Sequence, residues 1–179
     1  MEWILNLDAD ILLFLQDTVR TPFLNPIISG LTALGNSGLI WVVATLALAF
    51  FPKTRKIGLT GLLALLISLL VNNVILKNLV ARIRPYEVVE GLVSVIGKQW
   101  DYSFPSGHTG SSFAAAWVFF RKLPKKFGIP ALVLAALIGL SRLYLGVHYP
   151  TDVLFGVISG IGSGCVASMI ADRVKSGSR

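Results

Sequence analysis

The stretch IGLTGLLALLISLLVNNVIL, from Ile57 to Leu76, decides the fold. It contains no charged residue, and about 20 mostly apolar residues in a helix span the hydrocarbon core of a bilayer. Working outward, Val153–Ala171 is likewise uncharged, and Phe127–Ser141 is uncharged until Arg142. Thr109–Phe120 is shorter but extends backwards through Phe104–His108. Over the 179 residues, 54% are hydrophobic and only 14% charged. The mean hydropathy is +0.74. A soluble domain carries about 25% charged residues. The sequence therefore predicts an all-α, polytopic integral membrane helical bundle, a single transmembrane domain over residues 1–179.

The longest uncharged run, Thr21 to Pro52, exceeds one ordinary span. Pro22, Pro26, Gly30, Gly35, Asn36 and Gly38 interrupt it, which favours a turn near Gly35–Gly38. Two helices cut from this run would be short, so the first is expected to recruit part of Asp10–Arg20, with Asp17 and Arg20 paired at helical spacing. The length requirement favours six spans over five. The alternative makes residues 1–20 an interfacial segment, with a helix over Ile4–Leu15 followed by one tilted span.

The net charge of +7 is not a nucleic-acid footprint, because the cations follow topology. Lys53, Arg55 and Lys56 flank one loop, and Arg121, Lys122, Lys125 and Lys126 another. Arg173, Lys175 and Arg179 close the chain. Counting spans puts all three groups on one side, which the positive-inside rule makes cytoplasmic. The 77–108 segment and the 141–152 turn then share the extracytoplasmic face of the plasma membrane. Glu2 and Asp8 stand where a secretory leader would be basic, so no cleavable signal peptide is expected. The single Cys165 reads as an apolar packing residue, and the Ser176–Arg179 tail as a frayed end. Gly156, Gly160 and Gly164, four residues apart, read as a packing face for a neighbouring helix. Trp41, Trp100 and Trp117 read mostly as interfacial anchors.

Three polar islands break this oily background. Lys77, Arg82 and Arg84 follow the Ile57–Leu76 span; lysine and arginine can simply snorkel at a helix end. Three cations on the disfavoured side weaken that account, so Lys77 and Arg84 are taken as site residues and Arg82 as a solvated extra. Asn72 and Asn73 could hold Lys77, but bonding between helices is the better reading. Pro105-Ser106-Gly107-His108 opens a span, where Ser106 can cap the helix and free backbone N–H groups can cradle a phosphate oxygen. Arg142 has a planar fork suited to a phosphoryl group. Asp152 follows His148 by four residues, across Pro150. In the opening turn of the last span it can accept from one imidazole nitrogen and leave the other free to attack. The plain alternative is a surface His–Asp pair.

Together, Lys77-x6-Arg84-Pro85, Pro105-Ser106-Gly107-His108 and Ser141-Arg142-x5-His148-x3-Asp152 resemble the three-part signature of the type 2 phosphatidic acid phosphatase (PAP2) superfamily. All three parts match in order and spacing, while the first 76 residues match only as hydrophobic helices. The resemblance implies His148 as nucleophile, forming a phosphohistidine, with Asp152 orienting it. His108 would protonate the leaving oxygen and then help activate water. Lys77, Arg84 and Arg142, with Ser106 and the Gly107 backbone, would bind the phosphoryl oxygens. The implied substrate is a membrane lipid phosphate or diphosphate met in the bilayer: undecaprenyl pyrophosphate, phosphatidylglycerol phosphate or phosphatidate. The scheme calls for no cofactor, no metal and no nucleic acid, and leaves oligomeric state open. The Tyr86–Tyr102 segment, with Glu87, Glu90, Lys98 and Asp101, is the expected selectivity element. Phosphotransfer to a lipid or sugar acceptor, vanadate-dependent oxidation and non-enzymatic lipid carriage remain as alternatives.

Overall fold

The computed structural model describes residues 2–176, and among these every regular element is helical. Most of the tail expected to be frayed, 177–179, lies outside the described residues. Helix α1 (Glu2–Phe14) runs into a π-helical turn (Leu15–Val19). It is followed by α2 (Leu24–Ala33) and α3 (Leu39–Phe50). Helix α4 (Arg55–Ser68) continues through a π-helical stretch (Leu69–Leu76) into α5 (Lys77–Val80). The short α6 (Pro85–Val88) precedes α7 (Gly107–Lys122), α8 (Lys125–Tyr144) and α9 (Pro150–Ser176).

Helix α7 sits centrally, with Ala114, Ala115 and Ala116 fully buried. Small side chains let neighbouring backbones approach closely, which is how helices associate where lipid tails compete for apolar contact. The glycine face of α9 lies on α7: a Cβ built on Gly160 would sit 2.5 Å from the Gly110 carbonyl oxygen, and one on Gly164 2.9 Å from that of Ala114. Backbone cannot yield as a flexible side chain would. Gly160→Ala is therefore expected to lower stability by about 1–3 kcal/mol, the cost of overpacking. Gly162→Ala, whose Cβ meets nothing within 4 Å, should unfold at the wild-type temperature; thermal unfolding in detergent compares the two.

Three helical stretches, Arg55–Val88, Lys125–Tyr144 and Pro150–Arg173, are long and apolar enough to cross a membrane. A fourth is available if the pair α2 and α3, bent by 44°, counts as one. The turn expected near Gly35–Gly38 is present as a 3-10 segment, Asn36–Gly38, with Ser37 and Gly38 in the left-handed region. It bends a run instead of separating two crossings, and the expected count of six is not reached by length and composition.

The N-terminal helix explains part of the difference. Asp8 bonds Arg82 and Thr151, Gln16 bonds Gly91 and Val93, and Arg20 bonds the Tyr144 carbonyl and Val93. Leu12 packs with Leu92, Leu143, Tyr149 and Val153. These partners belong to one end of the bundle, so α1 lies across that end instead of descending through it. Arg20 accordingly bonds Gln16 and the α8 terminus, while the expected partner Asp17 acts on it through its charge without a hydrogen bond. At the opposite end Lys122 pairs with Asp172 at 2.9 Å and Arg55 bonds the Ala49 carbonyl, so the α3–α4 loop, the α7–α8 loop and the α9 C-terminal region gather there.

Trp41 departs from the anchor reading. It is buried at 2% exposure and donates its indole N–H to Ser112 at 2.8 Å. Trp117 donates to Cys165 at 3.1 Å, seating that cysteine against α7, whereas Trp100 is fully exposed.

Candidate active site

The three polar islands converge because four helix ends meet. The end of the α4–α5 rod supplies Lys77. Ala81, left-handed at φ 48°, then reverses the chain into Arg82 and Arg84. The α7 N-terminus supplies Ser106–His108, the last turn of α8 supplies Arg142, and the α8–α9 turn supplies His148. The Ser106 amide donates to the Asp152 carbonyl at 3.1 Å, joining the second motif to the third through backbone.

His148 and Asp152 are 1% and 0% exposed, which removes the surface-pair alternative. The Arg84 Nη1 atom lies 3.1 Å from His148 Nε2. A guanidinium only donates, so this contact requires an unprotonated Nε2 and assigns the proton to Nδ1. Nδ1 faces Asp152 Oδ2 at 3.5 Å and has no other partner. That is long for a hydrogen bond, but catalytic hydrogen bonds commonly tighten in the reacting complex. Burial, then the charges of Arg84, Arg142 and Lys77, push the His148 imidazole pKa well below its ordinary value. The ring is neutral near pH 7, and its Nε2 lone pair accepts from Arg84, a contact that a phosphoryl group entering the site must displace.

Arg142 is 1% exposed; its Nη1 bonds Thr32 at 2.9 Å, and its Nε has no partner. A buried guanidinium with an unmet donor is costly without an acceptor, so it is a ready ligand for an anionic oxygen. Lys77, buried, pairs with Asp101, which also accepts from Arg84 Nη2 at 2.5 Å. Burial opposes the Asp101 charge, yet Lys77 and Arg84 hold its carboxyl down at about 2. A phosphoryl group bound by those two cations must compete with this carboxylate.

His108 Nε2 lies 2.9 Å from Asn36 Oδ1, so the bend between α2 and α3 orients that ring. Ser106 caps α7, its hydroxyl oxygen accepting from the Thr109 amide and hydroxyl. In both bonds the oxygen accepts, which leaves the Ser106 hydroxyl proton free to donate, while Gly107 and His108 line the neighbouring open space. Asn72 bonds Ser68 of its own rod, not Lys77, while its amide crowds Gly110 of α7.

Sequence reasoning named Lys77, Arg84, His108, Arg142, His148 and Asp152, and the structure brings them together. It passed over Asn36, read only as a turn residue, and Ser103, which donates to Asp152 Oδ2. Arg82, read as a solvated extra, bonds Asp152 Oδ1 at 2.7 Å.

Beside His108 and Lys77 lies a cavity of about 560 Å³. Its lower wall is apolar, including Val42, Leu62 and Leu65, and its upper end meets Lys77, Asp101 and His108. Leu66 and Leu69, which also line it, are half exposed on the outer surface of the bundle. A second cavity of about 460 Å³ shares Asn73, Lys77 and Asp101 and opens towards Lys98, Gln99 and Trp100. Among the described residues, no three His, Cys, Asp or Glu side chains are grouped to hold a metal ion.

Comparison with known proteins bears on the family and the fold. An undecaprenyl-diphosphatase of Sulfolobus acidocaldarius is 35% identical over 68% of this chain, and this chain spans 58% of that protein. Phosphatidylglycerophosphatase B of Bacillus subtilis is 35% identical over 80% of this chain and 73% of its own. The crystal structure of a transmembrane PAP2-type phosphatidylglycerolphosphate phosphatase from Bacillus subtilis superposes with a TM-score of 0.79 at 29% identity, covering 97% of this chain and 89% of that one. The model of the PAP2 superfamily matches residues 57–175, the region that carries all three motifs. This chain is a membrane protein of the PAP2 superfamily.

Proposed function

We propose that the protein hydrolyses a phosphate or diphosphate group from a membrane lipid, without a metal, through a phosphohistidine on His148 at the extracytoplasmic face. The observation that carries this is the neutral His148 Nε2 facing a cluster of buried cations. His148 Nε2 attacks phosphorus and the bond to the lipid oxygen breaks. His108 supplies the proton that oxygen needs. Water then attacks phosphorus as His108 takes its proton, the P–N bond breaks with its electron pair returning to His148 Nε2, and inorganic phosphate leaves. A phosphoryl transition state spreads charge over three equatorial oxygens, and Arg84, Arg142, Lys77 and the Gly107 amide at the α7 terminus are fixed donors for them.

A lipid substrate is supported by the 560 Å³ cavity, which pairs a cationic end with an apolar wall reaching the lipid-facing surface. The named activities of the relatives favour undecaprenyl pyrophosphate or phosphatidylglycerol phosphate. Five crossings fit best: α2 with α3, the α4–α5 rod, α7, α8 and α9, with α1 at the interface. The cation-rich loops at the opposite end support a cytoplasmic assignment there, which leaves the site outside.

The test is phosphate release by purified protein from undecaprenyl pyrophosphate, phosphatidylglycerol phosphate and phosphatidate in mixed micelles. Turnover is expected to survive EDTA and to be blocked by orthovanadate, which mimics pentacoordinate phosphorus. Loss of activity in EDTA with recovery on adding magnesium would overturn the metal-free scheme. Label passing to an acceptor lipid instead of water would indicate phosphotransfer.

A further inference from the structure

Arg82 falls in the unspecified six-residue spacer of the first motif, Lys77-x6-Arg84, and Asp8 lies in the N-terminal helix, 74 positions away in sequence. The fold nevertheless joins them to the nucleophile's partner. Arg82 Nη1 donates to Asp152 Oδ1 and to Thr151 Oγ1, each at 2.7 Å, while its Nη2 donates to Asp8 Oδ2 at 2.8 Å. The guanidinium lies over the Tyr149 ring, 3.6 Å from its centroid. Asp8 is 2% exposed and also accepts from the Thr151 amide at 3.0 Å and its hydroxyl at 2.5 Å.

The two oxygens of Asp152 are thus divided. Oδ2 accepts from the Tyr149 amide at 3.0 Å and from Ser103, and faces His148 Nδ1. Oδ1 faces Arg82. The terminal torsion of an aspartate is broad, so hydrogen bonds must fix the carboxylate plane. Two buried carboxylates also require a cation between them. Arginine satisfies both with separate arms of one rigid fork, which lysine, a point charge, cannot do.

We propose that Arg82 and Asp8 are positioning residues for the reaction. Arg82 fixes the rotation of Asp152 so that Oδ2 addresses the nucleophilic ring, and Asp8 fixes Arg82, making the interfacial helix α1 a structural part of the active site. This rests on the function proposed above. It places neither residue on the substrate.

The experiment is steady-state kinetics of the full chain in mixed micelles with whichever of the three lipid substrates it turns over, using monodisperse protein from gel filtration. Arg82→Ala is expected to lower kcat about tenfold to a hundredfold, the scale of one lost charged hydrogen bond, with KM within about twofold. Arg82→Lys should recover little of this, since it cannot reach both carboxylates. Asp8→Ala should lower kcat less, and adding it to Arg82→Ala should cause no further loss. If Arg82→Ala yields no folded protein, Asp8→Asn decides: it keeps the side chain's shape but weakens the tie, so a fall in kcat at constant KM supports the relay and wild-type kcat refutes it. A rise in KM with kcat unchanged would mean that Arg82 holds phosphate directly and would overturn the proposal. Multiplying losses in the double variant would overturn it as well. A wild type that releases no phosphate defeats the proposed function itself, whereas an active wild type matched by Arg82→Ala defeats only the positioning role.

Discussion

His148→Ala is expected to lower phosphate release by on the order of 10⁶-fold, the scale on which removing the nucleophile of a serine-hydrolase triad acts. The other histidine cannot substitute, because His108 Nε2 is bonded to Asn36. The cations themselves remain, since Arg84 is held by the Val147 carbonyl at 2.6 Å and by Asp101, and Arg142 by Thr32. The variant should therefore still bind orthovanadate or substrate while failing to turn over. Phosphate release and acid-labile labelling from a 32P lipid are the measurements. Retention of more than about one part in a hundred of the wild-type rate would exclude His148 as the attacking group.

Asp152→Asn is expected to cost about 10⁴-fold in kcat with little change in KM, by analogy with amide replacement of a triad aspartate. Arg82 at Oδ1 and the Tyr149 amide at Oδ2 both only donate. The charge-assisted bond to Arg82 is the stronger, so the new amide turns its oxygen to Arg82 and its NH2 to the Tyr149 amide and His148 Nδ1. That demands an acceptor at Nδ1 and moves the imidazole proton to Nε2, where it faces Arg84 and blocks attack. The side chain keeps its size, so the fold should hold, and matched circular dichroism and unfolding temperature check this. A loss smaller than tenfold would show that the 3.5 Å approach of Oδ2 to the ring does not set its tautomer.

The residues proposed to handle the phosphoryl group were legible because each motif is local. Lys77 and Arg84 straddle one helix end, and Asp152 follows His148 by a single turn across Pro150. What the sequence hid are contacts closed only by the tertiary fold. Asn36 reaches His108 across 72 positions, and Arg82 reaches Asp152 across 70. No spacing rule links such pairs. Trp41 looked like an anchor because composition cannot show that Ser112 waits for its N–H inside the bundle. The expected six spans are not confirmed, and Thr21–Pro52 is where length and composition fall short of them. Hydropathy sees a run too long for one crossing, but it cannot see that Asp8, Gln16 and Arg20 tie the preceding helix across one end. Once α1 is held there, it is unavailable to lengthen α2.

On the proposed lipid substrate, the half-exposed Leu66 and Leu69 on the wall of the larger cavity would set the dimensionality of catalysis. A mouth bordered by side chains that face acyl tails is supplied by two-dimensional diffusion within one leaflet. The quantity that saturates such an enzyme is the mole fraction of substrate among its neighbouring lipids, not its molarity in the surrounding water, and inert lipid acts as a diluent although it never binds.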